Sequence, residues 1–253
     1  MIHYDTIGKG QPLVLVHGFG EDYRIWDHQV QALSPFLQLI IPHLPGTGKT
    51  PAQEAPTMES MADDLYEILE KEKTGKVFLV GHSMGGYIAL AFAEKYPEKL
   101  NGLGLFHSTA FPDSPEKISN RRKSIEFIQQ HGSASFLAST TPNLFAAENR
   151  EEMAKTIQLV ASGNAYQGNG TLIAFYEAMI KRPDRTAVLK KAPWPVLFIL
   201  GKGDQAVPFA DTMKLVYLPD LAYIHILEAS GHMGMLEAPE ETSQYLKNFV
   251  QQV

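Results

Sequence analysis

The segment at residues 81–85 constrains the fold most, because it reads Gly-His-Ser-Met-Gly and matches the pattern G-x-S-x-G. Residues 76–80 before it are mainly apolar and β-branched, which predicts a buried strand. Residues 86–95 after it are rich in alanine and end just before Pro97, which predicts a helix. A sharp turn from strand to helix exposes the hydroxyl of Ser83, while the flanking glycines let backbones pass closely. The alternative is a glycine-rich turn that carries a serine by chance.

A serine hydroxyl needs a base that accepts its proton before it can act as a nucleophile at neutral pH. Two later segments, residues 195–200 and 222–227, predict strands, and they are followed within a few residues by Asp204 and His232. Ligand chemistry in open α/β sheets gathers at the carboxyl ends of the strands. Taken singly, Asp204 is equally explained as a turn residue and His232 as a loop histidine. Together they predict that Ser83, Asp204 and His232 act as nucleophile, acid and base.

The chain resembles the α/β-hydrolase superfamily nearly from end to end, in the branch of single-domain bacterial esterases and cofactor-free haloperoxidase-like proteins. The matching segments are residues 13–20 with Trp26, residues 45–48, 81–86 and 201–208, and Gly231 with His232. The resemblance implies that Ser83 is the nucleophile, that His232 is the general base and that Asp204 orients His232. It also implies that the backbone amides of Phe19 and Met84 form an oxyanion hole.

Strand and helix patterns alternate along the chain, which predicts an α/β fold with a mostly parallel sheet of about seven strands flanked by helices. Residues 1–107 and 192–253 form the predicted core. Residues 108–191 contain no convincing strand, only helical patterns near residues 115–130, 148–161 and 171–181. A connection of this length should carry structure of its own. The resemblance implies that it is a helical cap that covers the nucleophile and shapes the substrate pocket.

Candidate pocket residues lie at the end of the strand before the insertion, within the insertion and beside His232. They are His107, Phe111, Phe145 and Met233. A structural role is the alternative for His107, and the aromatic residues of the insertion can equally form the core of the cap. The basic run at residues 121–123 predicts either a docking site for an acidic carrier protein or a solvated helix face.

Residues 45–50 read Pro-Gly-Thr-Gly-Lys-Thr and resemble the end of a phosphate-binding loop. That motif requires glycine at position 43, where this chain has His43, and a helix that starts at the lysine. Pro51 follows directly and disfavours such a helix. We therefore reject a nucleotide-binding site here. Related hydrolases often have aspartate at the position of His43, so we expect the departure to affect only local packing of the loop.

Composition limits the classes of partner. The 253 residues carry a formal charge of −6 without a long basic run, which argues against binding to nucleic acid or to an anionic membrane. The chain has no cysteine, so disulfides and a cysteine nucleophile are excluded. No apolar run reaches the ~18 residues of a membrane span, and the start lacks the pattern of a signal peptide. We expect a cytoplasmic protein with a small-molecule acyl substrate, no cofactor and no catalytic metal, and the oligomeric state stays open.

Two classes of function fit these observations. The first is a serine hydrolase that cleaves a small or medium acyl ester through an acyl-Ser83 intermediate. Cleavage of a thioester, lactone, amide or carbon–carbon bond, or perhydrolysis, would use the same residues. The second is a signalling protein that uses the capped pocket to sense a ligand, with slow or single turnover.

Overall fold

A computed structural model of the chain describes residues 2–252. Its strands are β1 (Tyr4–Ile7), β2 (Gln11–Val16), β3 (Leu37–Pro42), β4 (Val77–His82), β5 (Leu100–Phe106), β6 (Val196–Gly201) and β7 (Ala222–Leu227). They form a sheet in the order β1-β3-β2-β4-β5-β6-β7. Only the edge pair β1 and β3 is antiparallel among these strand pairs, and all others run parallel. The predicted mostly parallel sheet of about seven strands is confirmed.

The helices of the described residues alternate with these strands. They are α1 (Asp27–Leu33), α2 (Met58–Glu72), α3 (Met84–Lys95), α4 (Pro115–His131), α5 (Ser133–Thr140), α6 (Ala154–Gly163), α7 (Asn169–Lys181), α8 (Thr186–Lys190), α9 (Phe209–Thr212), α10 (Gly234–Glu237) and α11 (Pro239–Gln251). No helix of residues 2–252 is both long enough and apolar enough to cross a lipid bilayer.

The central strands are buried on both faces because their side chains alternate between two apolar clusters. Leu13 and Leu15 of β2 pack with residues of α1 and α11, whereas Val14 and Val16 pack with residues of α2 and α3. This alternation is the two-residue period of a strand. It explains why β2, β4 and β6 read as apolar runs and why helices cover both faces of the sheet.

The start of α2 is fixed by a pair of reciprocal hydrogen bonds between Thr57 and Ser60. The hydroxyl of Thr57 accepts from the amide of Ser60 at 3.0 Å, and the hydroxyl of Ser60 accepts from the amide of Thr57 at 2.9 Å. Such a reciprocal cap satisfies amides that have no partner within the helix, and its loss typically costs about 1 kcal/mol.

The connection from β5 to β6 consists of α4 to α8 with short turns, and these described residues contain no strand. Two of its helices differ from the sequence prediction. The helix predicted near residues 148–161 begins only at Ala154, and α5 was not predicted at all. Serine and threonine make up half of α5 and are weak helix formers. Instead, the side chain of Asn169 on α7 accepts from the amide of Ser133 at 2.8 Å and supports its first turn. The assignment of residues 108–191 to a separate cap stays a prediction.

At the corner between β4 and α3, two backbone segments touch. A Cβ atom built on Gly81 would lie 2.2 Å from the carbonyl atoms of Gly85 and 2.4 Å from the amide nitrogen of Gly86. Real carbon atoms cannot approach backbone this closely, so α3 would have to move away from the sheet. Only glycine at position 81 permits this corner.

We predict that Gly81→Ala lowers the free energy of unfolding by about 3 kcal/mol or more, because the added methyl group meets backbone rather than a movable side chain. Urea denaturation measures this change. Gly75→Ala is the matched control, since a Cβ atom at Gly75 meets nothing within 4 Å. Equal stability of both variants would contradict the close approach described for Gly81.

Candidate active site

Ser83 occupies the corner between β4 and α3 in a strained backbone conformation. Its φ is 51° and its ψ is −116°, a region that side-chain-bearing residues rarely adopt. Three hydrogen bonds hold it there. Its amide donates to the carbonyl of Phe106 at 2.9 Å, and its carbonyl accepts from the hydroxyl of Ser108 at 2.7 Å and from the amide of Gly86 at 2.9 Å. The strain is therefore maintained by the neighbouring strand β5 and by the helix that follows.

His232 and Asp204 lie in direct contact, on the loops that follow β7 and β6. The Nδ1 atom of His232 is 2.8 Å from Oδ2 of Asp204. Because a carboxylate only accepts, Nδ1 carries the hydrogen and Nε2 remains able to accept a proton. The other oxygen of Asp204 accepts from the amides of Ala206 and Val207 at 2.9 and 2.8 Å. This arrangement fixes the imidazole in one tautomer and one orientation.

The carboxyl of Asp204 is held ionised. Burial alone would raise its pKa, but the charge of His232 and the hydrogen bonds from His107 and His232 hold the pKa of Asp204 well below its usual range. An ionised carboxylate at this point stabilises a positive charge on the imidazole of His232.

His107 lies behind Asp204 rather than on the cavity wall, which corrects its assignment to the substrate pocket. Its Nδ1 atom is 3.3 Å from Oδ2 of Asp204, and its Nε2 accepts from the amide of Gly234 at 3.2 Å. Burial lowers the pKa of His107 to about 4, so the ring is neutral at pH 7. Both nitrogens face groups of the protein, which favours the structural alternative for this residue.

A cavity of about 210 Å³ lies beside Ser83 and His232, and Phe19 and Met233 also line it. Met233 is therefore placed as the sequence analysis expected. The two aromatic candidates do not line this cavity. They are Phe111, which lines a separate surface pocket, and Phe145, which is 1% exposed and packs in the apolar core. Apolar residues of a helical insertion must form its own core, and sequence alone does not separate that role from pocket lining.

The two amides expected to form the oxyanion hole flank Ser83. Met84 is the first residue of α3, and the first amides of a helix have no acceptor within it. Phe19 follows Gly18, and a Cβ atom built on Gly18 would lie only 3.1 Å from Cβ of Ser83. The segment that carries the Phe19 amide thus runs directly against the serine. This proximity is compatible with the predicted role, which stays a prediction.

A buried ion pair that the sequence analysis missed lies beneath these loops. Oε1 of Glu21 accepts from the amide of Gly18 and from Nδ1 of His82 at 2.6 Å, while Nε2 of His82 donates to the carbonyl of His232 at 2.8 Å. Since both ring nitrogens of His82 donate, the imidazole is protonated. No local sequence motif predicts this pair, because Glu21 and His82 are 61 residues apart.

The pKa values of this pair move in opposite directions. Burial would raise the pKa of Glu21, but the charge of His82 and the hydrogen bonds to it lower the pKa below its usual value. Burial would lower the pKa of His82, but attraction to Glu21 and hydrogen bonds raise it. Both groups are therefore charged around neutral pH and compensate each other.

Two groups of side chains bring potential metal ligands together, although spacing along the sequence revealed neither. The first comprises His3, Asp5 and His43, and the second His107, Asp204 and His232, with donor atoms within 4.8 Å of one another in each group. In the first, His43 accepts from the amide of Lys49 at 3.1 Å and faces Asp5 at 3.1 Å. In the second, the nitrogens that face the carboxylate carry hydrogen, as described above. In each group a histidine thus turns an N–H rather than a lone pair toward the carboxylate, and that nitrogen cannot bind a metal ion.

Arg121 does not belong to a uniform basic face, contrary to both interpretations of residues 121–123. Arg122 and Lys123 are exposed, whereas Arg121 is partly buried and lines the same cavity as Ser83. Its Nε donates to Asp113 at 2.6 Å. A helix turns its consecutive residues to different directions, so a run of three basic residues cannot share one environment.

We predict that Glu21→Gln lowers the free energy of unfolding by about 3–5 kcal/mol, because it leaves the charge of His82 buried without its partner. His82 stabilises the fold fully below its ordinary pKa of 6.5 and less as pH rises through its raised folded pKa. Glu21 stabilises it above its ordinary pKa of 4.5 and less as pH falls through its lowered folded pKa. The loss should thus be largest between about pH 4.5 and 6.5 and shrink toward pH 9.

Urea denaturation of both proteins across this pH range measures the effect. Glu126→Gln on the exposed face of α4 is the control and should change stability by less than about 0.5 kcal/mol. A loss that is equal at pH 5.5 and pH 9 would show that His82 is not charged in the folded protein.

Known proteins resemble this chain in fold and in sequence. The structure resembles that of a thermophilic esterase from Thermogutta terrifontis, solved with malate bound, with a TM-score of 0.94 and 30% identity over 99% of this chain and 93% of the other. The pimeloyl-acyl-carrier-protein methyl ester esterase of Methylococcus capsulatus is 26% identical over 97% of both chains. A 2-hydroxy-6-oxo-6-(2'-aminophenyl)hexa-2,4-dienoic acid hydrolase of Metapseudomonas resinovorans is 25% identical over 98% of this chain and 86% of the relative.

The family model described as "Alpha/beta hydrolase family" matches residues 13–244, which is most of the chain. The matched region contains the whole serine corner and both loops that carry Asp204 and His232. The chain therefore belongs to the alpha/beta hydrolase family.

Proposed function

We propose that this hydrolase is a serine esterase that cleaves a small or medium acyl ester through an acyl-Ser83 intermediate. The observation that carries the proposal is the 2.8 Å hydrogen bond between His232 and Asp204. The imidazole of His232 lines the same cavity as Ser83. A histidine oriented in this way is a general base only if a nucleophile stands at its Nε2 side.

In the proposed reaction, the oxygen of Ser83 attacks the acyl carbon while Nε2 of His232 takes the hydroxyl proton. The amides of Phe19 and Met84 donate to the oxyanion of the tetrahedral intermediate. His232 then gives the proton to the departing alcohol, which leaves an acyl group on Ser83. A water molecule, activated by the same imidazole, releases the acid and restores the serine.

The preference for a small acyl group is supported by the size and lining of the cavity. Its volume of about 210 Å³ lies below the usual range of ligand pockets, which is about 300–1,000 Å³. The wall combines apolar side chains such as Leu137 and Met233 with hydroxyl groups. Two of the similar proteins described above are esterases, which supports an ester rather than a carbon–carbon bond.

We predict that Ser83→Ala abolishes both ester turnover and labelling by a fluorophosphonate probe, because the probe reacts with an activated serine. Ser119→Ala on the exposed face of α4 is the control and should retain both. Turnover of p-nitrophenyl esters of increasing chain length distinguishes the esterase from a ligand sensor. Many turnovers per protein support the esterase, whereas a single burst supports the sensor. Labelling that persists in Ser83→Ala would place the nucleophile elsewhere.

We predict that Asp204→Asn lowers kcat by about four orders of magnitude in a folded protein, because an amide no longer fixes the tautomer of His232. Glu228→Gln is the matched control. Glu228 is an acidic residue four positions before His232, but it is exposed and bonded to Lys202 at 2.6 Å. Steady-state kinetics on one ester, with circular dichroism of each variant, separate the two cases. A large loss in Glu228→Gln with little loss in Asp204→Asn would overturn the assignment.

A further inference from the structure

Arg121 brings a positive charge to the wall of the cavity that Ser83 and His232 line. It projects from α4, and its side chain is 19% exposed. Its Nε and Nη2 atoms donate to the two oxygens of Asp113 at 2.6 and 3.2 Å. This contact fixes the position of the guanidinium without covering its remaining edge.

Asp113 does not neutralise Arg121, because it is shared with a second arginine. Nη2 of Arg182 lies 2.9 Å from Oδ1 of Asp113, and the carboxylate is completely buried. Arg182 also donates to the carbonyls of Met179 and Phe111 and is only 3% exposed. Two guanidinium groups and one carboxylate leave one positive charge, and Arg121 is the member of the cluster that lines the cavity.

The other charged groups of the cavity wall compensate each other, because Glu21 is paired with protonated His82. The ionised Asp204 lies behind His232 and is not part of the cavity wall. The charge of Arg121 is therefore the unbalanced one among the described cavity residues. An unbalanced charge in a partly enclosed site attracts an anion far more strongly than one on an open surface.

Arg121 also has donors to spare. A guanidinium has five N–H groups, and Asp113 accepts two of them. Among residues 2–252, no acceptor is bonded to its Nη1 atom. Residues that carry hydroxyl groups line the same cavity: Tyr87, Ser124, Thr140, Thr141 and Tyr176.

We propose that the substrate is an ester that carries a carboxylate in addition to the scissile bond, and that Arg121 binds this carboxylate. This inference rests on the proposed function. One small molecule can reach from Ser83 to Arg121, because the single ring of Tyr176 lies near both ends of this path. Tyr176 lies 4.2 Å from the ring of Phe19, beside the serine, and 5.6 Å from the guanidinium carbon of Arg121. Guanidinium recognises a carboxylate by charge and by paired hydrogen bonds.

The test compares kcat/KM for half-esters of dicarboxylic acids with kcat/KM for uncharged counterparts. Monoethyl glutarate, adipate and suberate are paired with esters in which the free acid is a carboxamide. Butyrate esters of glycolate and of 4-hydroxybenzoate place the carboxylate on the alcohol side instead. Wild-type protein should prefer the carboxylate form in one of these two series. In Arg121→Gln, the ratio of charged to uncharged kcat/KM should fall by about thirtyfold or more, while Arg121→Lys should retain part of it.

Arg122→Gln is the matched control, because Arg122 is the exposed neighbour on the same helix. It should leave the ratio as in the wild type. A ratio near one in wild-type protein, or a ratio that Arg121→Gln does not change, would overturn the inference. The proposed function would still stand if uncharged esters are turned over and Ser83 is labelled. Failure of every ester, together with failure of the fluorophosphonate to label, would instead overturn the proposed function.

Discussion

The buried pair of Glu21 and His82 is the interaction on which the site geometry depends. It links three separate parts of the chain. Glu21 accepts from the Gly18 amide before the predicted oxyanion hole, His82 is the residue before Ser83, and His82 also donates to the carbonyl of His232. Each of these loops emerges from a different strand, and sheet pairing alone does not fix its height above the sheet. Because both charges are desolvated, a loop that moves away leaves an uncompensated ion, which is costly. The pair therefore couples the positions of the loops.

The strained corner at Ser83 directly follows His82 and is held by contacts of its own. A positive φ at a serine is unfavourable by about 1–3 kcal/mol and persists only where neighbouring structure fixes it. The amide of Ser83 donates to the carbonyl of Phe106, and the carbonyl of Ser83 accepts from the hydroxyl of Ser108, which secures the corner from the side of β5. The glycine at position 81 lets α3 approach β4 closely enough for that arrangement. The serine is thus held outward by backbone packing, which leaves its hydroxyl free for chemistry.

The sequence predicted those features that depend on local pattern. The strands, the corner at Ser83, and the positions of Asp204 and His232 follow from apolar runs that end in polar residues at the carboxyl edge of a parallel sheet. The sequence did not predict the role of Glu21 or of Arg121, since each depends on a partner or a cavity formed by distant segments. His107 shows the opposite error. It directly follows β5, where pocket residues are expected, yet it packs behind Asp204, with Nδ1 3.3 Å from Oδ2 of Asp204 and Nε2 accepting from the amide of Gly234.

The two buried charge clusters beside the cavity differ in a way that stability alone does not explain. Glu21 and His82 cancel each other, which minimises the cost of burial. Asp113 and two arginines do not cancel, although a second carboxylate beside Arg121 would have completed the pair. The chain carries a formal charge of −6, so acidic residues are not scarce. A fold that keeps one guanidinium unbalanced on the wall of the cavity beside Ser83 tolerates an electrostatic cost in the free protein. In the proposed function, a bound carboxylate removes that cost, and the binding energy gained in this way is available to orient the ester toward Ser83.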